Sequence, residues 1–227
     1  MLKSSIITTS VLLAQGHPVD RSYSTRKTIF ISGQHPAAQD HPVHRVNNYL
    51  KNHFIIYLGE IMTKVKLNTT AGAVTLELDA AKAPATVANF VEYVNSGHYN
   101  GKIFHRVIND FMIQGGGMDA KMQESTTREP IKNEANNGLK NDKYTIAMAR
   151  TSQPHSATAQ FFINVKNNDF LNFSAENANG WGYAVFGKVV AGTEVIDKLK
   201  LVKTARHGMH DDVPVETVLI ESAEILA

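Results

Sequence analysis

Between Lys64 and Ala223 the chain is cut into short apolar runs, most of them with the two-residue period of a strand. Val74, Leu76 and Leu78 alternate with Thr75 and Glu77, which puts three apolar side chains on one face. Lys64–Thr69 precedes this run across Ala71-Gly72, so the pair reads as a hairpin. Further strands are expected at Ile103–Val107, Phe111–Gln114, Tyr144–Ala149, Phe161–Val165, Ala184–Val189 and Val218–Ala223. Two segments carry a helical period instead. From about Pro84 to Ser96, Val87, Phe90, Val91 and Val94 fall at i, i+3, i+4 and i+7, with Pro84 suited to the first turn and Gly97 to the left-handed exit. From about Thr193 to Leu201, Val195, Ile196 and Leu199 turn inward, with Thr193 as N-cap. Many short strands with two helices predict a mainly β fold. Closing the sheet on itself removes its unpaired edges, so the expected architecture is a closed antiparallel barrel.

The chain has 227 residues, 43% of them apolar, enough for one domain with a sizeable core. It has no cysteine, which excludes a disulfide scaffold, a thiolate nucleophile and cysteine-ligated metals. A net charge of +2 gives no reason to expect nucleic acid as a partner. No apolar run approaches the roughly 20 residues of a membrane-spanning helix, so no membrane partner is expected either.

The charge is unevenly spread. Residues 1–61 hold six Lys/Arg against three Asp/Glu, whereas residues 62–227 hold 17 against 18. Residues 1–61 also lack sustained periodicity, and read as an N-terminal extension rather than a domain. Ile6–Ala14, behind Lys3, is a weak match to a secretory signal and lacks a small-x-small cleavage pattern. His41-x-x-His44 has no third ligand at helical or hairpin spacing, so no metal is expected there. Gly59-Glu60 is compatible with a purine-rich ribosome-binding sequence just before Met62. Translation is therefore expected to begin at Met62, a point for intact mass to decide, and residues 62–227 to form the domain. A cytoplasmic location follows from that start; a periplasmic or secreted one is the alternative if residues 1–61 are a targeting segment.

Three segments gather aromatic, apolar and amide side chains around one guanidinium. They are Phe104-His105-Arg106-Val107-Ile108-Asn109-Asp110-Phe111-Met112-Ile113-Gln114-Gly115-Gly116-Gly117, Ala147-Met148-Ala149-Arg150 and Ala159-Gln160-Phe161-Phe162-Ile163-Asn164. Strict alternation puts Phe104 and Arg106 on one strand face, opposite His105 and Val107, and puts Met112 with Gln114. Gly115-Gly116-Gly117 has no following helix with Lys-Ser/Thr, so it does not read as a phosphate loop. His207-Gly208-Met209-His210-Asp211-Asp212 hints at a metal but reads as a solvated, turn-like loop.

These segments resemble the signature of the cyclophilins, the peptidyl-prolyl cis-trans isomerases, and the resemblance runs through residues 63–227. It is closest to the bacterial cytosolic B-type enzymes, since Glu129-Pro130-Ile131-Lys132-Asn133-Glu134-Ala135-Asn136-Asn137-Gly138-Leu139 and Gly180-Trp181-Gly182-Tyr183 also match. The resemblance implies a mainly β fold, a closed eight-stranded antiparallel cyclophilin-like barrel with two helices capping its ends, an isomerase that assists protein folding, and no cofactor. The alternative is a proline-peptide binding module with little turnover. Implied partners are proline-containing peptides and unfolded or folding proteins, and the protein is expected to be a monomer.

The chemistry explains the residue types. An X–Pro bond has partial double-bond character, and twisting it costs roughly 20 kcal/mol of amide resonance. At the perpendicular geometry the nitrogen recovers a lone pair and can accept a hydrogen bond. A guanidinium aimed there stabilises the transition state selectively. By resemblance Arg106 is the catalytic arginine, and Gln114 orients it and contacts substrate. His105 contributes to hydrogen bonding in the site. Phe111, Met112, Phe162 and Leu171 resemble the proline pocket, while Gln160, Ala149 and Arg150 fall at peptide-backbone or rim positions. Phe170 and Tyr183 stand where many eukaryotic members have tryptophan and histidine, so only weak cyclosporin binding is expected.

Overall fold

The computed structural model describes residues 63–226; the expectations for residues 1–61, His41-x-x-His44 among them, lie outside the described residues. Strands β1 (Thr63–Thr69) and β2 (Gly72–Leu78) form the hairpin, in register from Thr63 opposite Leu78 to Thr69 opposite Gly72. Alternation sends Val65, Leu67, Val74, Leu76 and Leu78 into the core. The chain continues through α1 (Pro84–Asn95), β3 (Lys102–Ile108), β4 (Met112–Asp119), β5 (Thr145–Met148), β6 (Phe161–Asn164) and β7 (Val185–Ala191). It ends with α2 (Thr193–Leu199), β8 (Thr204–His207), β9 (His210–Pro214) and β10 (Leu219–Leu226). Eight strands close into the expected barrel, in the order β1-β10-β3-β4-β6-β5-β7-β2, with every pair antiparallel. Closure joins β1 to β10, from Lys64 opposite Leu226 to Thr69 opposite Ile220.

Helix α1 buries Val87, Phe90 and Val94, as its period requires, together with Thr86 and Tyr93. The Phe90 ring lies 5.0 Å from Tyr99, 5.6 Å from Phe161 and 5.1 Å from Phe186, so the helix is seated on aromatic rings of the barrel core. Its first turn has no cap of its own. The Glu134 carboxylate accepts hydrogen bonds from the amides of Ala85 (3.1 Å) and Thr86 (2.8 Å) and from the Thr86 hydroxyl (2.7 Å). An acid distant in sequence thus satisfies two orphan donors at the positive end of the helix. Helix α2 packs on the β1–β2 turn, where a Cβ on Gly72 would come within 2.8 Å of Val195. Thr193 is not its N-cap: Gly192 holds that position at φ +84°, and no side chain caps the helix. The left-handed glycine lets β7 turn directly into α2, against the backbone of β2.

Two more expectations are corrected. Strand β4 does not stop at Gln114 but runs through Gly115–Gly117, because a Cβ on Gly115 would lie 2.9 Å from both the Ile103 carbonyl and the Phe104 ring, an approach only glycine allows. Residues 207–212 are solvated as expected, with 207–211 all exposed, but they are not a loop. They are the end of β8, the turn at Gly208-Met209 and the start of β9 in a two-stranded ribbon that packs along β3.

The faces of β3 also differ from strict alternation. Phe104 pairs with Gly115 and Arg106 with Gln114, so β3 advances two residues while β4 advances one, and His105 is the extra residue of a β-bulge. Phe104 and Val107 therefore both enter the barrel core, and Arg106 alone is exposed. The bulge resets the phase.

Strands β5 and β6 are buried on both faces. Ile146, Met148, Phe161 and Ile163 belong to the barrel core. Ala147 and Phe162, one residue out of phase, join Met112, Leu171 and Val185 in a second apolar cluster on the outer face.

Candidate active site

Register builds the site as one row of side chains across the outer wall. Arg106 on β3 lies opposite Gln114 on β4, and Gln114 opposite Phe162 on β6. Phe162 lies opposite Ala147 on β5, and Ala147 opposite Val185 on β7. The row passes from a cation through an amide into apolar surface within three strands.

The apolar end is the outer cluster. Met112, Phe162 and Leu171 are buried in it, and Phe111, Ala149 and Tyr183 pack against it half-buried. Phe170 is 72% exposed and stacks on Phe111 with ring centroids 5.6 Å apart. Tyr183 meets Phe162 edge-on at 5.6 Å, and the Arg150 guanidinium lies 4.6 Å above the Tyr183 ring. Arg150 is held there by donating from Nε to the Gly182 carbonyl at 2.9 Å. Arg150, Tyr183 and Phe162 thus form a stack leading from the rim to the cluster.

The polar end is a groove of about 420 Å³, in which His105, Arg106, Gln114 and Gln160 face Met209–Asp212 of the ribbon. The Arg106 side chain is 44% exposed. Gln114 makes no hydrogen bond to its guanidinium; its Nε2 donates to Gln160 Oε1 at 2.9 Å. That amide pair depends on Gly117, since any Cβ there would run into the Gln160 side chain. The charged partner of Arg106 is Asp212, whose Oδ2 lies 3.8 Å from Nε.

His105 is buried, and its Nδ1 has no hydrogen-bond partner. Burial, helped by the charges of His210 and Arg106, lowers its pKa from 6.5 to about 4. The imidazole is neutral at pH 7. In the unfolded chain it takes up a proton near pH 6.5, but in the folded protein only near pH 4. Stability is therefore complete above pH 6.5 and declines as pH falls from 6.5 to 4, by about 3 kcal/mol over the window. A His105→Gln variant is expected to lose less stability than the parent between pH 7 and pH 4.5 in urea titrations. Equal losses would show that another group governs the acid limb.

The segment covering the cluster is tied down by three buried asparagines. Asn164 Nδ2 donates to Asn141 Oδ1 at 3.2 Å and to the Thr145 hydroxyl at 3.0 Å, and its Oδ1 accepts from Asn168 Nδ2 at 2.7 Å. Asn168 also donates to the Phe111 carbonyl at 2.9 Å, and Asn141 to the Leu171 carbonyl at 3.1 Å. The network fixes the backbone of two pocket residues. No local pattern in the sequence reveals it, nor the approach of Gly117 to Gln160 or of Asp212 to Arg106.

Residues 64–225 match the family model described as cyclophilin type peptidyl-prolyl cis-trans isomerase/CLD. Peptidyl-prolyl cis-trans isomerase cyp18 of Streptomyces antibioticus is 63% identical over 165 residues, 73% of this chain and 99% of that protein. Peptidyl-prolyl cis-trans isomerase B of Escherichia coli K12 is 60% identical over 161 residues, 71% of this chain and 98% of that one. A solved Cryptosporidium parvum cyclophilin-type isomerase, crystallised in the presence of the dipeptide Ala-Pro, superimposes with a TM-score of 0.58 at 26% identity. That comparison covers 72% of this chain and 99% of the other. The chain belongs to the cyclophilin-type peptidyl-prolyl cis-trans isomerases, enzymes that rotate the peptide bond before proline.

Proposed function

We propose that this isomerase seats the proline ring against Phe111, Met112, Phe162 and Leu171 while Arg106 stabilises the twisted imide nitrogen. The observation that carries the reading is the Arg106–Gln114–Phe162 row, which sets a half-exposed guanidinium beside a buried aromatic surface on one outer face. Gln160, Ala149 and Arg150 border the same surface as rim positions for peptide backbone. No nucleophile is required, because no covalent bond breaks. Two-dimensional NMR exchange on an Ala-Pro peptide tests it. Binding without accelerated exchange would make the chain a proline-peptide binding module instead.

In the same reading the enzyme works as a monomer on proline-containing segments of folding proteins, and shortens proline-limited refolding phases. Its cyclosporin affinity is low. Phe170 offers an exposed ring stacked on Phe111 but no donor, so a ligand acceptor that an indole N–H would satisfy is left unpaired. Such a loss costs about 1–3 kcal/mol, roughly ten- to a hundredfold in affinity. Calorimetric titration is expected to show Phe170→Trp binding cyclosporin more tightly by about that factor. Equal, tight binding by both proteins would remove the rim residue from the explanation.

A further inference from the structure

We propose that Asp212 is a positioning residue that holds the Arg106 guanidinium at its working angle, a role that rests on the reading of Arg106 as the catalytic cation. Two β-bulges face each other across the polar groove. On β3, the bulge at His105 turns Arg106 outward. On the ribbon, Ala205 pairs with Val213 and His207 with His210, so β9 advances three residues while β8 advances two. The extra residue falls at Asp211–Asp212, and Asp212 itself stands at φ +60°. Non-glycine residues seldom adopt that conformation, though Asp tolerates it better than most. Bulges of this kind re-aim a side chain out of the ladder. Here the re-aimed carboxylate reaches Arg106, with Oδ2 3.8 Å from Nε.

The surrounding groups leave this task to Asp212. Gln114 is committed to Gln160. Neighbouring Asp211 pairs with Arg206 at 3.7 Å. Among the described residues the Arg106 guanidinium donates no hydrogen bond, and the Asp212 carboxylate is the charged group that draws it. Engagement at Nε, the inner nitrogen, leaves both terminal nitrogens free to face a peptide. An ion pair this exposed adds little to folding stability. Its effect is geometric, because a misplacement of about 1 Å in a catalytic group lowers rates as much as 10²-fold.

The test measures kcat and KM on an Ala-Pro peptide for Asp212→Asn and Asp212→Gly, each alone and combined with Arg106→Ala. The Arg106 Nε–H resonance is followed in the same samples. Asp212→Asn is expected to lower kcat about five- to twentyfold with KM within about twofold, and to shift or broaden that resonance. Asp212→Gly relieves the left-handed backbone, so it folds at least as stably yet is equally slow. In the Arg106→Ala background neither change has a further effect, because nothing remains to position. The proposal is overturned if both single variants keep parental kcat while Arg106→Ala is slow, or if their effect persists without Arg106. Parental turnover by Arg106→Ala would instead bring down the reading of Arg106 itself.

Discussion

Arg106→Ala is expected to turn over an Ala-Pro peptide about 10²–10³-fold more slowly than the parent, the usual cost of removing one preorganised electrostatic donor. The ground-state amide nitrogen is planar and has no lone pair to offer, so the guanidinium gains its partner only as the bond twists. The loss should therefore fall on kcat far more than on KM. Folding should survive. The side chain is 44% exposed and its ion pair with Asp212 is long, which places its stability contribution in the range of about 0–1 kcal/mol. Circular dichroism and exchange NMR on one sample separate the two effects. Near-parental exchange would overturn the assignment of Arg106. Arg106→Lys should rescue poorly, since a compact ammonium on a flexible stem does not reproduce the planar fork.

Asn164→Leu is expected to be the more damaging change for stability, by about 3–5 kcal/mol, although leucine matches the apolar surroundings in size. Asn164 is fully buried and serves three partners: Asn141, Thr145 and Asn168. Removing it strips Asn141 Oδ1 of its donor and leaves Asn168 Nδ2 with the Phe111 carbonyl alone. Each buried group left unsatisfied costs about 1–3 kcal/mol, and the deficits accumulate within one network. Because Asn168 and Asn141 hold the Phe111 and Leu171 carbonyls, the surviving folded fraction should show a raised KM with kcat less affected. Denaturant titration and peptide kinetics give both numbers. A loss below about 1 kcal/mol would mean that water replaces the amide without penalty.

What could be read in advance was whatever obeys a local period. The alternation in Val74–Leu78 and the helical stripe of Val87, Phe90 and Val94 locate their elements because each residue's face depends only on its neighbours. Alternation aims Arg106 outward, as found, but wrongly puts Phe104 on the same face, since the bulge at His105 is a pairing irregularity between two strands. The ribbon β8–β9 escaped for a related reason. It is polar on both faces near its turn, so it carries no alternation to detect. Glu134 caps a helix whose first turn lies nearly fifty residues upstream, and Asn141, Asn164 and Asn168 resemble ordinary loop asparagines until the fold brings them together. The pocket residues were legible through family resemblance; as isolated side chains, Phe162 and Met112 look like core.

The pairing that closes the barrel has a consequence for the order of events during synthesis. Strand β1 emerges first among the described elements, yet its partner on one side is β10, and Lys64 finds its opposite only at Leu226. Helix α1 likewise waits for Glu134 to cap it and for Phe161 and Phe186 to receive Phe90. A nascent chain still held at the ribosome has β1 and β2 to pair with each other, but their buried faces have nothing to pack against until the far end has left the exit tunnel. Long-range closure of this kind is slow because loop entropy is lost before contacts are gained. An enzyme that rotates prolyl bonds must therefore complete its own wall once β10 has emerged, before it can act on any other chain.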